Sequence, residues 1–351
     1  MRFDSPIPFA DYLLTERVGF GGTAEIFRAV RRGRSPGEPP VALKRLLPHI
    51  AADTHVVRML QREVAALQRV AHPNVVRLLD HGTTNGLPWM VMELFDGVTL
   101  HRLLRRDEQG LELLLPPPVA LSVVADIAAG LGEAWRHGVV HRDISPTNIQ
   151  LTAEGDIKIL DFGLARVRGM VQTTHGQGLK GKWAYLSPEQ IEGHPIDGRS
   201  DLFALGSVLY RCLIGRPPFR GAHREDTLRK IREHELVRFL DAEPVASAEQ
   251  MAPAAWMPAL EPAVIDRFVT GLLSHGRNDR PNDGDAVALR ARDILGPSSS
   301  DPRYRDWVAD AVNAAAAPPD LQHAVAAELR GEAVTDPAGE TVTAVSLRQE
   351  R

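Results

Sequence analysis

The hydrophobic period of this chain changes once, near residue 100, and that change restricts the fold more than any other feature. Before it, residues 12–18, 25–30, 39–45, 75–81 and 87–93 are short runs rich in apolar and β-branched side chains, separated by Gly, Pro and Asn turns. Such runs predict strands. One helix interrupts them: apolar side chains recur at Val56, Val57, Leu60, Val64, Leu67 and Val70, with Thr54 placed to cap its start. After residue 100 the spacing becomes helical throughout. Residues 118–137 carry Val119, Leu121, Val123, Val124, Ile127, Ala128 and Leu131 behind a run of prolines, as a buried central helix would. Residues 201–214 are apolar nearly all round and predict a second buried helix. Helices are also expected over 225–234, 262–273 and 285–294. The chain reads as a strand-rich lobe followed by a helix-rich one.

Composition narrows the class. The 351 residues are 44% apolar and 25% charged, ordinary values for a folded soluble protein, so wholesale disorder is excluded. The length holds about two domains' worth of core. A net charge of -4 gives no footing for nucleic acid. The single Cys212 excludes a disulfide framework and a cysteine-rich metal site. No uninterrupted apolar run reaches the roughly 20 residues that span a bilayer, and the polar start lacks a secretory core. A cytoplasmic protein without a membrane partner is expected. Residues 297–300 read as a linker, 301–316 and 319–331 as two short amphipathic helices, and the last ~20 residues as disordered. The segment 297–351 is therefore expected to be dispensable for folding.

Lysine usage is uneven. Of 41 basic residues only five are lysine: Lys44, Lys158, Lys180, Lys182 and Lys230. An ammonium is a compact point charge and a guanidinium a wide planar fork. In an arginine-rich background, each lysine marks a place where the fork will not serve.

Three motifs carry chemistry. Gly19-Phe20-Gly21-Gly22-Thr23-Ala24 lies between two predicted strands, where glycines let backbone N–H groups approach phosphates. No helix follows, so it is not a dinucleotide fingerprint, and an ordinary glycine hairpin would look the same. Lys44 sits in an otherwise apolar strand and needs a partner if buried; Glu63 lies on the following helix, and snorkelling from a strand edge is the plain alternative. The densest cluster is His141-Arg142-Asp143-Ile144-Ser145-Pro146-Thr147-Asn148, followed by the strand that ends in Asp161-Phe162-Gly163. Asp143 can accept a proton, Asn148 can offer an amide oxygen to a hard cation, and Asp161 is the carboxylate Mg²⁺ prefers. Either motif alone fits an ordinary turn; both in this order do not.

Together these motifs resemble the eukaryotic-type protein kinases, in particular their bacterial serine/threonine branch. The resemblance runs over about residues 9–295 and also includes Ser187-Pro188-Glu189, Asp201 and Arg280. It implies an α+β, two-lobed protein-kinase-like fold: a small antiparallel-sheet N-lobe with one helix over about 9–95, and a larger, mainly helical C-lobe over about 96–295. Residues 1–8 become an N-terminal extension and 296–351 a linker and partly disordered tail. It implies ATP and Mg²⁺ as cofactors and a protein substrate with a Ser or Thr acceptor, in bacterial signalling. A homodimer or a tail-bound partner is compatible with it.

The resemblance implies a role for each residue by its position. Lys44 holds the α- and β-phosphates and pairs with Glu63; Asp161 and Asn148 hold Mg²⁺; Asp143 orients or deprotonates the acceptor. Gly19, Phe20, Gly21, Gly22 and Ala24 cover the phosphates. Ile26 and Ala42 cover the adenine, Met92 is the gatekeeper, and Glu93 and Phe95 offer backbone groups to the base. Leu67, Leu78, His141 and Phe162 form an internal column, and Glu189 braces the substrate-binding segment with Arg280.

The departures are as informative. Family members carry lysine two residues after the catalytic aspartate, where this chain has Ser145. They carry threonine where this chain has Lys182, a position expected to face residue 145. A lost and a gained lysine at facing sites imply that Lys182 has taken over a catalytic charge. Gln150 replaces the aliphatic floor of the adenine site. Arg142 would pair with an activation-segment phosphate, for which Thr173 and Thr174 are the available threonines. A nucleotide-binding pseudokinase is the alternative that Ser145 and Gln150 motivate; a small-molecule phosphotransferase is the weakest reading.

Overall fold

The computed structural model describes residues 2–20, 24–33, 35, 37–104, 114–162, 182–244, 257–316, 334–335 and 341–342. Within these, the side chains of residues 2, 55, 59, 62, 63, 66, 334, 335, 341 and 342 lie outside the description.

The first lobe is an antiparallel sheet. Strands β1 (Arg2–Phe9), β2 (Tyr12–Phe20), β3 (Ala24–Arg31) and β4 (Val41–Leu46) precede the short helix α1 (Pro48–Ala51) and helix α2 (Thr54–Leu67); β5 (Leu78–Thr84) and β6 (Leu87–Glu93) follow. The sheet order is β1-β2-β3-β4-β6-β5. One face, with Ala24, Leu46 and Met90, packs with Val56, Leu60 and Val64 of α2. The other is closed by Phe9, Tyr12, Leu14, Phe27, Leu43 and Trp89, with Trp89 edge-on to Phe9 and Tyr12. Asp53, not Thr54, accepts the N–H of Val56 at the start of α2 (3.4 Å).

Strand β1 corrects the reading of residues 1–8 as an extension. Pro6 and Pro8 mask it in the sequence because proline cannot serve a central ladder. At a sheet edge it is tolerated, and β1 is such an edge, paired only with β2 through Ile7↔Leu14, Pro8↔Leu13 and Phe9↔Tyr12.

The second lobe begins with β7 (Gly97–Thr99), α3 (Leu100–Leu104) and α4 (Pro117–Arg136). Strands β8 (Ile149–Thr152) and β9 (Ile157–Ile159) complete a three-stranded sheet with β7. Helices α5 (Pro188–Glu192), α6 (Gly198–Ile214), α7 (Arg224–Arg232), α8 (Pro262–Leu272), α9 (Gly284–Leu295) and α10 (Arg303–Ala316) follow. Among the described residues α4 is the one helix long and apolar enough to cross a membrane. Here it is a core helix, packed against α6 and α9. The α4–α9 crossing is close enough to demand glycine: a Cβ on Gly284 would fall 2.1 Å from the carbonyl oxygen of Ala128.

Helix α10 matches the amphipathic helix expected over 301–316 and packs into the lobe. Tyr304, Trp307, Val308, Ala311 and Val312 are buried in the same core as α4 and α6. Arg305 donates to the carbonyl of Glu154 (2.9 Å) and pairs with Asp156 (2.9 Å), and Arg102 donates to the carbonyl of Ala315 (3.3 Å). Gly155 permits the approach, since a Cβ there would meet the carbonyl of Arg305 at 2.1 Å. Residues 303–316 thus pack as an element of the lobe, which argues against the expectation that the whole of 297–351 is dispensable. The helix expected over 319–331 lies outside the described residues; beyond it, β10 (Val334–Thr335) pairs with β11 (Thr341–Val342).

Candidate active site

The loop after α4 is held from below. Asp201, buried in the first turn of α6, accepts the backbone N–H of His141 on one oxygen and that of Arg142 on the other, both at 2.7 Å. Burial pushes the Asp201 carboxyl up to about 7 against the pull of these two donors. The bonds fix a loop in which Arg142 has φ 67, a conformation non-glycine residues hold only when their surroundings impose it.

His141 continues the chain of support. Its Nδ1 accepts the N–H of Asp143 (3.2 Å), so the ring proton sits on Nε2 and is donated to the carbonyl of Leu160 (2.7 Å). Burial holds the imidazole below its ordinary pKa, keeping the ring neutral. Its ring centroid lies 4.7 Å from that of Phe162, with the two planes tilted by 52°. Phe162 and Leu67 share the large core, while Leu78 packs against both lobes' cores. Of the expected column, His141 and Phe162 are neighbours, while Leu67 and Leu78 belong to or pack against the same core.

The polar groups converge above it. Asn148 Nδ2 donates to the backbone oxygen of Asp143 (2.7 Å) and to its Oδ2 (3.0 Å). These bonds turn the amide oxygen of Asn148 away from Asp143. The Leu160 N–H donates to the carbonyl of Asn148 (2.8 Å), tying the loop to the strand end that presents Asp161. Lys44 enters from β4, where it pairs across the ladder with Ile26 and Met90. Its Nζ lies 2.6 Å from Asp161 Oδ1. Burial alone would raise the Asp161 carboxyl, but the Lys44 ammonium holds it below the usual range. From the other side Lys182 brings Nζ to 2.8 Å from Asp143 Oδ2. Ser145 is buried and shares a hydrogen bond with the Thr147 hydroxyl (2.9 Å).

The remaining sequence-selected residues surround this centre. Ala24 and Met92 are buried in the N-lobe core, Ala42 is buried opposite Met92 in the ladder, and Ile26 is half-buried beside Gly19. Phe20 is exposed, with the Arg17 guanidinium 5.4 Å from its ring. The Glu93 N–H is engaged by the carbonyl of Arg77 (3.1 Å). Gln150 donates to the carbonyl of Phe95 (3.3 Å). Gly21, Gly22, Thr173, Thr174 and the side chain of Glu63 lie outside the described residues.

Sequence reasoning missed several supports. Lys158 approaches Glu93 (3.6 Å) and lies over the Phe95 ring (4.6 Å), bracing the connection between the lobes from behind. Lysine scarcity was the available signal. Trp183 carries the Arg224 guanidinium 3.9 Å from its ring centroid, fastening the 182–185 turn to α7. Around Glu189, Ser200 adds a 2.6 Å hydrogen bond to the bidentate Arg280 pair (2.7 and 2.9 Å). Arg280 spends its other donors on the carbonyls of Ser274, Arg199 and His275. Burial would raise the Glu189 carboxyl; Arg280 and Ser200 hold it low instead.

The donor set suits a hard cation. An ionised carboxylate and an amide oxygen at one cleft edge are Mg²⁺ ligands, with phosphate and water supplying the rest. Among the described residues no three His, Cys, Asp or Glu side chains form a metal cage.

Known proteins combine these features. Residues 12–291 match the model of the protein kinase domain. The tyrosine-protein kinase MasK of Myxococcus xanthus is 36% identical over 237 residues, 65% of this chain and 36% of that protein. The serine/threonine-protein kinase PknB of Mycobacterium leprae is 35% identical over 240 residues, 64% of this chain and 37% of that one. These matches span about a third of the length of either relative. The crystal structure of the Mycobacterium tuberculosis PknI kinase domain superposes with a TM-score of 0.58 at 25% identity, covering 84% of this chain and 100% of that chain. The family match covers most of the chain, both lobes included, and the chain belongs to that family: the protein kinases.

Proposed function

We propose that the chain is an ATP- and Mg²⁺-dependent kinase that transfers the γ-phosphate to serine or threonine hydroxyls of protein substrates in the cytoplasm. The observation that carries this reading is the convergence of Asp143, Asn148 and Asp161 at one cleft edge, with Lys44 at one end and Lys182 at the other. A pseudokinase would be expected to have lost part of this set.

In the mechanism, the Asp143 carboxylate takes the proton of the acceptor hydroxyl as the acceptor oxygen bonds to the γ-phosphorus. The bond between that phosphorus and the β–γ bridging oxygen breaks, and its electron pair leaves with ADP. The neutral His141 ring and Asp201 position Asp143 through the backbone and take no part in the proton transfer. Lys44 is placed to hold the α- and β-phosphates once the nucleotide competes with Asp161 for its ammonium. Asn148 and Asp161 would hold Mg²⁺, which supplies charge neutralisation at the phosphates when bound. Gln150 and Lys158 hold the connection to which the adenine bonds.

The acceptor class is tested by incubating the protein with γ-labelled ATP, Mg²⁺ and a generic basic protein, then identifying the labelled amino acids. Phosphoserine or phosphothreonine is expected. Label confined to tyrosine would overturn the acceptor assignment, and label on an aminoglycoside or sugar but not on protein would make the chain a small-molecule phosphotransferase.

A further inference from the structure

The two described lysines of the site stand at opposite ends of it. Lys44 is bound to Asp161, at the end where the nucleotide and its cation are held. Lys182 is bound to Asp143, at the end where the acceptor is activated. A phosphoryl group in transit passes from the first end to the second and spreads its charge over its equatorial oxygens. The catalytic loop offers no charge to it at residue 145, because Ser145 is buried and bonded to Thr147.

We propose that Lys182 supplies the transferred phosphoryl group with the positive charge missing at Ser145, and that the stack of Arg224 on Trp183 holds Lys182 in place. The inference rests on the phosphotransfer reading above and adds to it where the charge comes from. An ammonium has three donors, so one bond to Asp143 leaves it able to bind a phosphoryl oxygen at the same time. Its side chain is 23% exposed and that of Asp143 15%, so water screens the charge only partly.

The lysine is also well anchored. It opens the turn 182–185, whose Ala184 and Tyr185 are buried. Arg211 donates to the Tyr185 hydroxyl (2.9 Å), and Arg224, the first residue of α7, covers Trp183. The charge is therefore carried by the 182–185 turn, and docking of that turn against α6 and α7 sets whether the site is complete. In this arrangement Lys182 is a catalytic residue and Arg224 a positioning residue.

The test compares the parent with Lys182→Met, Lys182→Arg, Arg224→Ala and the exchange Ser145→Lys/Lys182→Thr, each checked for an unchanged melting temperature. Calorimetry measures binding of MgADP alone and of MgADP with aluminium fluoride, which mimics the planar phosphoryl group. Lys182→Met should lose about 10- to 1000-fold in kcat and in affinity for the fluoride complex, with MgADP affinity unchanged. The exchange variant should recover part of both losses. Arg224→Ala should lower kcat in the parent and cause no further loss in the Lys182→Met background. If Lys182→Met turns over and binds the fluoride complex like the parent, the proposal is wrong. If Lys182→Met loses MgADP affinity as well, the lysine only maintains the site, and the proposal is also wrong. A parent that binds MgADP but neither transfers phosphate nor binds the fluoride complex would instead overturn the phosphotransfer reading beneath it.

Discussion

Asp161→Asn is expected to lower phosphate transfer by about a thousandfold or more while leaving the fold intact. Phosphoryl transfer depends on positioning and charge neutralisation, and Asp161 is the carboxylate in the set that suits a hard cation. The substitution removes its charge, while the amide keeps an oxygen facing Lys44, now 2.6 Å from the carboxylate. Asparagine is the cleaner choice than alanine for a structural reason. Asp161 has φ 47, a left-handed conformation that asparagine tolerates and alanine does not, at a cost of roughly 1–2 kcal/mol. None of the three hydrophobic cores loses a side chain, so the melting temperature should stay within a few degrees. A variant that transfers phosphate at the parent rate would remove Asp161 from the cation site; one that unfolds would show that the Lys44–Asp161 pair holds the lobes.

The second large effect is on stability. Trp307→Ala should cost about 3–5 kcal/mol, the range for deleting a large aromatic side chain from a core. Trp307 is buried in the same cluster as α4 and α6. A chain ending at Leu295 should lose more, because Tyr304, Val308 and Val312 go with it and the lobe surface they cover becomes exposed. Arg305 and its bonds to the turn between β8 and β9 are lost as well. At ~1.5 °C per kcal/mol for a chain of this size, thermal unfolding should begin about 5 °C lower or more, or the shortened protein should fail to stay soluble. Unfolding within a degree or two of the full chain would mean that α10 docks without contributing to the fold.

What could be read in advance, and what could not, divides along the distance between partners. Strand β6 and helices α4, α6 and α8 announce themselves by local period, α4 also by its prolines, and their bounds fall within a few residues of the sequence expectation. The identities of Asp143, Asn148 and Asp161 are legible because loop and strand motifs stand in a fixed order along the chain. Partners that meet from far apart are not. The stripe of α10 shows that a face wants cover but not that β7 and β8 provide it. Nothing local pairs Arg224 with Trp183, or Gln150 with the Phe95 carbonyl. Strand β1 was hidden for another reason, since its prolines argue against a strand everywhere except at the edge it occupies. The approach of Lys182 to Asp143 is an intermediate case: the register of two motifs placed the lysine opposite residue 145, and only the fold shows its ammonium on the carboxylate of Asp143.

Under the proposed function, this site transfers phosphate with Asp143 as its base. The most direct measurement is the rate of γ-phosphate transfer from ATP to protein by the parent and by Asp143→Asn, alongside the affinity of each for MgADP. Asparagine preserves the size of the side chain but cannot take the acceptor's proton. The account predicts a parent that transfers phosphate and a variant slower by about 100- to 10,000-fold, with MgADP bound equally well by both. A parent as inactive as the variant, binding MgADP but passing its phosphate to nothing, would contradict it and leave the protein a nucleotide-binding scaffold.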